Sequence, residues 1–299
     1  MNIQDILNDL NSDKIKNIIL DTDAYNEVDD QYAIAYAMLS PEKINLLALC
    51  AAPFYNERSS SAGDGMLQSY NEIFKITKLV DENCAIPIYK GSDRVMTSKD
   101  VPVESEAADK IAEIVMNSGE RVYIVAIGAI TNVASAIVKY PEIVKKAAVI
   151  WLGGHAQHFP NAGDFNLAGD VIAAQAVFDS GIPLLQIPCG GVCSEFLTSI
   201  PEIEYYMSGK NALCDYLIEL TRNYTKNPYA WSKVIWDVTA IGLFIRPKAF
   251  ELVAMPRPFI TSDMKYAFDM ARPHYIYVRR LRRDSMYADL FRKLTSLNF

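Results

Sequence analysis

Six short segments of this chain are almost continuously apolar, and longer segments with the spacing of amphipathic helices separate most of them. The apolar segments are residues 15–20, 44–50, 86–89, 122–127, 147–152 and 183–187. The helical segments are residues 29–39, 64–79, 104–117, 131–139 and 171–179. Strands that are covered on both faces have this continuous apolar character. The order therefore predicts an α/β fold with an open, mostly parallel sheet flanked by helices.

The pattern changes after Pro188, where helical segments follow one another at residues 200–207, 211–224 and 233–244. A short β-like stretch and a final basic helix come after them. With 299 residues, 51% of them hydrophobic, the chain is long enough for a large core. We therefore predict a single domain over residues 1–299, with a helical elaboration in its C-terminal part.

The charge balance and the apolar segments limit the partners. A net charge of −7 argues against a nucleic-acid partner, and the basic run at residues 279–283 is typical of a solvated helix start or a subunit contact. Residues 1–13 do not have the pattern of a secretory signal, and the chain lacks an apolar stretch of membrane-spanning length. A cytoplasmic protein is predicted. Five scattered cysteines without a zinc-like cluster indicate reduced, buried thiols.

Four carboxylates stand close together in the stretch IILDTDAYNEVDDQYAIAYAML, residues 18–39. Asp21 and Asp23 follow an apolar run, and Asp29 and Asp30 precede a helical segment. Such a cluster repels itself unless a cation or protons neutralise it, and oxygen ligands alone suit Ca²⁺ or Mg²⁺. Helix capping is the alternative for Asp29 and Asp30, but it leaves Asp21 and Asp23 unexplained.

Other polar segments also follow predicted strands. A loop with Asn56 follows residues 44–50, residues 128–132 follow the strand at 122–127, and residues 153–166 follow the strand at 147–152. In open α/β sheets, ligands bind at the carboxyl ends of the strands. These loops are therefore expected to meet the carboxylates at one edge of the sheet.

Four segments in order resemble the inosine-uridine preferring nucleoside hydrolases. They are the acidic segment at residues 21–30, GAITNVASAI at 128–137, GGHAQHFPNAGDFN at 153–166 and VIWDVTAIGLF at 234–244. The resemblance spans about residues 15–245 and implies the Rossmann-like nucleoside hydrolase fold. It also implies calcium-dependent hydrolysis of the N-glycosidic bond of a ribonucleoside, releasing base and ribose in nucleoside salvage. Such proteins are commonly homodimers or homotetramers.

The resemblance assigns a role to each matching residue. Asp23, Asp30, Asp237 and the backbone carbonyl of Thr131 match the metal ligands, and Asp23 also matches the base that takes a proton from water. The residues that match sugar-binding positions are Asp29, Asp164 and Asn166, with Asn56 and Asn161 as looser matches.

Three departures from the family pattern affect the substrate rather than the metal. The turn between Asp23 and Asp29 is two residues longer than usual, and Asp164 replaces a glutamate that is one methylene longer. Trp236 stands where many members have a histidine that can protonate the leaving base, whereas an indole N–H is only a donor. Either Trp236 stacks on the base, or another residue is the acid, with these candidates: His155, His158, Tyr229 and Tyr25.

Two rival functions follow from the same residues. The chain could be a catalytically impaired, metal-dependent nucleoside or sugar binding protein, since Trp236 replaces the acid. A phosphate-transfer enzyme also places Asp at the end of its first strand, but the chain lacks a Gly-rich phosphate loop and a plausible lysine clamp. An N-ribosyl hydrolase therefore ranks first.

Overall fold

The computed structural model describes residues 3–297. Its strands are β1 Lys16–Thr22, β2 Ile44–Ala51, β3 Ile88–Lys90, β4 Val122–Ala126, β5 Ala147–Leu152, β6 Leu184–Ile187, β7 Leu197–Ser199, β8 Ser232–Val234, β9 Phe250–Pro256, β10 Phe259–Ile260, β11 Tyr266–Ala267 and β12 His274–Leu281. Its α-helices are α1 Ile3–Leu10, α2 Asp30–Met38, α3 Ala62–Val80, α4 Glu106–Asn117, α5 Thr131–Lys139, α6 Phe165–Gly169, α7 Val171–Asp179, α8 Ile200–Met207, α9 Ala212–Tyr224, α10 Val238–Ile245 and α11 Arg283–Thr295. Short 3₁₀ helices lie at Pro141–Lys145, Cys193–Glu195 and Pro247–Ala249.

Eight strands form one sheet in the order β3-β2-β1-β4-β5-β6-β12-β9. Neighbouring strands are parallel throughout, except that β9 runs antiparallel to β12 at the edge. Two small antiparallel sheets, β7 with β8 and β10 with β11, lie outside it. The prediction of an open, mostly parallel sheet is confirmed.

Both faces of the sheet are covered, which explains the continuous apolar strands. Successive side chains of β1 point to opposite faces, so Ile18 packs into one core and Ile19 into the other. Helices α2, α3, α10 and α11 contribute to the first core, and α4, α5 and α7 to the second. The sheet is therefore a rigid platform whose carboxyl edge can position side chains.

One predicted helix is wrong at its start. Residues 233–244 were expected to be helical throughout, but residues 232–234 form β8, which pairs with β7, and α10 begins only at Val238. The basic run at residues 279–283 is likewise divided between the end of β12 and the start of α11. All five cysteines are free thiols and four are buried, as predicted. Within residues 3–297, every helix is too short or too polar to cross a membrane.

Candidate active site

A cavity of about 460 Å³ lies at the carboxyl edge of the sheet. Asp23 follows β1, Ile127 follows β4, Leu152 ends β5 and Cys189 follows β6, and all four line it. This is the edge at which ligands of open α/β sheets bind. Within the described residues, six carboxyl groups line the cavity: Asp23, Glu27, Asp29, Asp30, Asp164 and Asp237.

Three of these carboxyl groups converge at the ends of two helices. Asp29 and Asp30 stand at the start of α2, and Asp237 stands at the start of α10. One carboxylate oxygen from each lies within 4.8 Å of the other two, and all three side chains are buried. Within residues 3–297, neither Asp29 nor Asp237 uses its carboxylate to cap its own helix. Capping therefore does not account for these aspartates, whereas the two helix N-termini both favour negative charge here.

The electrostatics of this cluster are those of an unneutralised anionic site. Burial and the neighbouring Asp29 raise the pKa of Asp30 to about 7, although Thr22 donates a hydrogen bond of 2.5 Å to it. Burial, followed by the charges of Asp29 and Asp30, also raises the pKa of Asp237 well above its ordinary value. A cation at the cluster would reverse these shifts, because it favours the ionised form.

Asp23 lies beside the cluster. Burial, followed by the charges of Asp30 and Asp29, raises its pKa well above the ordinary range. Among the described residues, its Oδ2 atom has no hydrogen-bond partner although it is buried. The close approach of the backbone requires glycine at Gly128, because a Cβ there would lie 2.9 Å from the Asp23 Cγ atom. A buried oxygen without a partner, next to three clustered carboxylates, fits a hard divalent cation.

Asp21 has a different role from the other acids of the same segment. It is fully buried, and burial raises its pKa to about 7. Asn132 donates 2.8 Å and 3.1 Å hydrogen bonds to the Asp21 carboxylate and the Ala51 carbonyl, and it accepts 2.7 Å and 2.8 Å bonds from the amide and hydroxyl of Ser92. Asp21 and Asn132 thus connect the ends of β1 and β2 to the segment after β3.

The loop after β4 presents a backbone oxygen that the sequence did not reveal. The carbonyl of Ile127 accepts a 2.9 Å bond from Asn166 Nδ2, and both residues line the cavity. Thr131 begins α5, and its hydroxyl donates to Asp170 Oδ2 at 2.8 Å. The Thr131 carbonyl remains a predicted ligand, and the Ile127 carbonyl is a second candidate in the same loop.

The loop before α6 brings Asp164 and Asn166 to the cavity. The Asp164 carboxylate accepts bonds from Gly154 N at 2.6 Å and Cys189 Sγ at 2.9 Å, besides capping α6. Asn166 Nδ2 donates to the carbonyls of Ile127 and Leu152, both at 2.9 Å. Asp164 is therefore committed to shaping the loop, while the Asn166 side-chain oxygen is left to face the cavity.

Comparison with known proteins identifies the chain. The family described as inosine-uridine preferring nucleoside hydrolase matches residues 18–278. The chain belongs to this family. The non-specific ribonucleoside hydrolase RihC of Salmonella paratyphi A is 28% identical over 251 residues, which are 79% of this chain and 81% of that protein.

Solved structures show the same fold. The purine-preferring ribonucleoside hydrolase from Gardnerella vaginalis matches with a TM-score of 0.79 and 21% identity, covering 94% of this chain and 98% of that chain. The plant nucleoside hydrolase PpNRh1 matches with a TM-score of 0.77 and 19% identity, covering 95% and 100%. The protein is therefore an N-ribosyl hydrolase of a metal-dependent family.

Two asparagines with looser sequence matches support the wall of this nucleoside hydrolase cavity. Asn56 Nδ2 donates to Asn26 Oδ1 at 2.7 Å, and Asn26 lines the cavity. Asn161 is exposed, and its side-chain oxygen accepts from Gly163 N at 3.1 Å. Both were predicted to bind substrate directly, and in this structure each is engaged by a neighbouring residue of the wall.

The longer turn of this nucleoside hydrolase is held from outside by Arg58. One guanidinium nitrogen donates to the carbonyls of Tyr25, Asn26 and Glu27 at 3.1, 3.3 and 3.1 Å. The guanidinium carbon also lies 4.7 Å from the centre of the Tyr25 ring. The two extra residues are therefore an ordered part of the wall, and the turn presents Asn26 and Glu27 to the cavity.

Lys233 lies next to the acidic cluster, a position that the sequence did not reveal. It extends from β8, is 5% exposed, forms an ion pair with Glu27, and places Nζ 3.7 Å from Asp29 Oδ1. Burial alone lowers the pKa of Lys233, but Asp29 and Glu27 outweigh it and raise the pKa above its ordinary value. Lys233 is therefore a permanent cation behind the acidic cluster. Glu27, which lines the cavity, connects Lys233 to it.

The residues proposed to contact or protonate the leaving base differ in how close they lie to the cavity. Trp236 and His155 line the cavity and are both half-buried. Gly190 N donates to His155 Nδ1 at 3.2 Å, which leaves Nε2 as the ring nitrogen that can donate to a ligand. His158 is exposed and packs on Phe159, with 5.0 Å between ring centres. Tyr229 is 89% exposed, and Tyr25 packs against Arg58. Of the proposed acids, His155 is thus the one placed at the cavity.

Proposed function

We propose that this nucleoside hydrolase uses a bound calcium ion to cleave the N-glycosidic bond of ribonucleosides, releasing base and ribose. The observation that carries the proposal is the convergence of Asp29, Asp30 and Asp237 beside the unpartnered carboxylate oxygen of Asp23. The clustered ligand atoms are carboxylate oxygens, which suit Ca²⁺ better than a metal that prefers nitrogen or sulfur.

The proposed ligands are Asp23, Asp30 and Asp237, with a backbone carbonyl from the loop after β4. Thr131 supplies that carbonyl by family resemblance, and the contact of Ile127 with the cavity favours Ile127. When bound, a divalent cation lowers the pKa of a water molecule, orients it, and attracts sugar hydroxyl groups. Asp29 belongs to the same cluster, so its carboxylate can bind the ion, the sugar hydroxyls, or both.

Proton transfer, sugar binding and base binding would fall to side chains of the protein. Asp23 takes a proton from the attacking water, a role suited to its position at the floor of the cavity. Asp29 and the free oxygen of Asn166 accept hydrogen bonds from the sugar hydroxyls, while Asp164 holds the loop that carries Asn166. Trp236 stacks on the base, and His155 donates its Nε2–H toward the base.

We further propose that the enzyme acts on free nucleosides in cytoplasmic nucleoside salvage, as a homodimer or homotetramer. The acidic cavity and the net charge of −7 argue against a nucleic-acid substrate. The RihC relative is a non-specific ribonucleoside hydrolase, which supports a broad nucleoside panel as the first assay.

The test measures release of reducing sugar from a panel of purine and pyrimidine ribonucleosides, with chelator and after return of Ca²⁺ or Mg²⁺. We expect loss of turnover with chelator and recovery with Ca²⁺. Asp23→Asn should lower kcat by about 10²–10⁴-fold while the circular dichroism spectrum stays unchanged. The control is Asp13→Asn, since Asp13 is exposed, pairs with Lys43 at 3.0 Å and is not among the residues that line the cavity.

Two outcomes would contradict the proposal. Full activity in chelator would remove the metal from the mechanism. Calcium-dependent nucleoside binding without sugar release from any nucleoside would instead favour a binding protein, the reading that the tryptophan at position 236 leaves open.

A further inference from the structure

The side of the cavity that receives the base has little means of protonating it. Trp236 lines the cavity at the position where many relatives carry a histidine, and an indole is not an acid at neutral pH. His155 is the other aromatic donor there, but the Gly190 N–H occupies its Nδ1 atom, so only Nε2 is left to face a ligand. An imidazole whose Nδ1 accepts a hydrogen bond can donate one through Nε2, yet it gives up that proton poorly. An ordinary base would therefore leave with its developing negative charge only partly relieved.

The same cavity is strongly anionic. Six carboxyl groups line it within the described residues, and a divalent ion together with Lys233 would offset three of those charges. Lys233 lies behind the wall, paired with Glu27, so it neutralises the cluster without presenting an ammonium group to the ligand. Glu27 itself comes from the longer turn, and its side chain is 32% exposed. A cationic ligand is therefore favoured here, and a phosphorylated one is disfavoured.

The aromatic ring of Trp236 also favours a cationic ligand. Trp236 is half-buried among the lining residues, and tryptophan is the side chain whose ring attracts cations most strongly. The lining of the cavity thus includes both an indole ring and carboxylates. The indole and the carboxylates both favour the binding of a positively charged ring.

We propose that this site is built for ribonucleosides whose base already carries a positive charge, such as N-ribosylpyridinium or N7-alkylated purine ribonucleosides. This inference rests on the proposed function and specifies its substrate class. The bond between C1′ and the base nitrogen breaks, and its electron pair stays on that nitrogen, which cancels the positive charge. Water adds its oxygen to C1′, and its proton passes to Asp23 and then to solvent. The base leaves neutral, so the reaction needs no acid at position 236.

The test compares an N-ribosylpyridinium carboxamide with inosine and uridine on the calcium-loaded enzyme. We expect kcat/KM for the pyridinium substrate to exceed that for the neutral nucleosides by at least about tenfold. Because cationic nucleosides are intrinsically more labile, binding is measured separately by calorimetry on Asp23→Asn. There the cationic nucleoside should bind about tenfold more tightly than inosine, as a cation–π contact and an anionic cavity imply.

Variants of the indole separate charge recognition from general damage. Trp236→Leu should lower kcat/KM for both substrates, because the indole stacks on either base, but the loss for the pyridinium substrate should exceed the loss for inosine by at least about fivefold, whereas Trp236→Phe should retain most of the preference. Glu27→Gln should also reduce the preference for the cation. Melting temperatures of all three variants check that the fold is kept.

The outcomes distinguish the inference from the function on which it rests. If inosine or uridine is cleaved and bound as well as the pyridinium nucleoside, the inference fails and the hydrolase function stands. An equal loss for both substrates in Trp236→Leu also contradicts it. If no nucleoside, charged or neutral, releases sugar, the proposed function fails together with the inference.

Discussion

Lys233 makes the strongest prediction about stability, because it is the buried cation of an otherwise acidic cluster. Its ammonium nitrogen lies 3.7 Å from Asp29 Oδ1 and pairs with Glu27. At an effective dielectric constant of about 20, opposite charges at this distance attract by about 4 kcal/mol. Removing one partner of a buried pair costs about 3–5 kcal/mol, since the remaining charge is left without compensation.

Lys233→Met should therefore destabilise the metal-free protein much more than the calcium-loaded protein. With calcium bound, the ion supplies part of the missing positive charge, and we expect a loss of about 1–2 kcal/mol. For a chain of 299 residues, an unfolding entropy of about 2.1 cal/mol/K per residue converts these values into temperatures. The Tm should fall by about 5–8 °C without metal and by about 2–3 °C with it.

The assay is scanning calorimetry of the parent and the variant, each in chelator and in excess Ca²⁺. Lys110→Met is the matched control, because Lys110 pairs with Glu113 at 2.8 Å on the surface. That control should shift Tm by no more than about 1 °C in either condition. Equal losses for Lys233→Met with and without calcium would refute the reasoning, since Lys233 would then stabilise the fold by packing rather than as a counter-ion.

Two further predictions concern the turn and the clustered carboxylates. Arg58→Ala removes three bonds to the turn carbonyls, and we expect KM to rise about tenfold with kcat within about threefold, because β1 still holds Asp23. A parallel fall in kcat would show that the turn also positions Asp23. In metal-free protein, burial raises the carboxyl pKa of Asp30 to about 7, so the folded state binds more protons than the unfolded state. Stability should then increase as pH falls from about 8 to about 5, and calcium should flatten this trend, as thermal unfolding across that range can show.

Much of the platform could be predicted from the sequence because both faces of the sheet are covered. Continuous apolar runs such as residues 122–127 can form only buried strands in a chain of this kind. Asp237 was expected at the site only from the family resemblance. The position of Asp23 and Asp30 at one edge follows from the sequence itself, since strand ends and helix starts meet there. The strands and these two aspartates rest on local patterns that the fold does not override.

The remaining features depend on contacts between distant segments. Lys233 and Glu27 are 206 residues apart, and they meet because residues 232–234 pair with β7 instead of beginning a helix. No local signal distinguishes that short strand from the helix that follows it. The Ile127 carbonyl is a backbone atom, so its place at the cavity leaves no trace in the choice of residue. Asn56 looked like a sugar ligand, whereas its partner is Asn26, from a turn of unusual length.

The proposed ion ligands lie at the ends of a strand and two helices, whereas other lining residues lie in a turn, and this separation is useful for engineering. The carboxyl groups proposed to hold the ion stand at the end of β1 and at the starts of α2 and α10, while Asn26 and Glu27 belong to the turn clamped by Arg58. A library that varies residues 24–28 and 155–161, with Arg58 and Lys233 kept, would sample new substrate preferences over an unchanged ion site. The scaffold is thus suited to redesign for modified nucleosides by exchange of these two short segments.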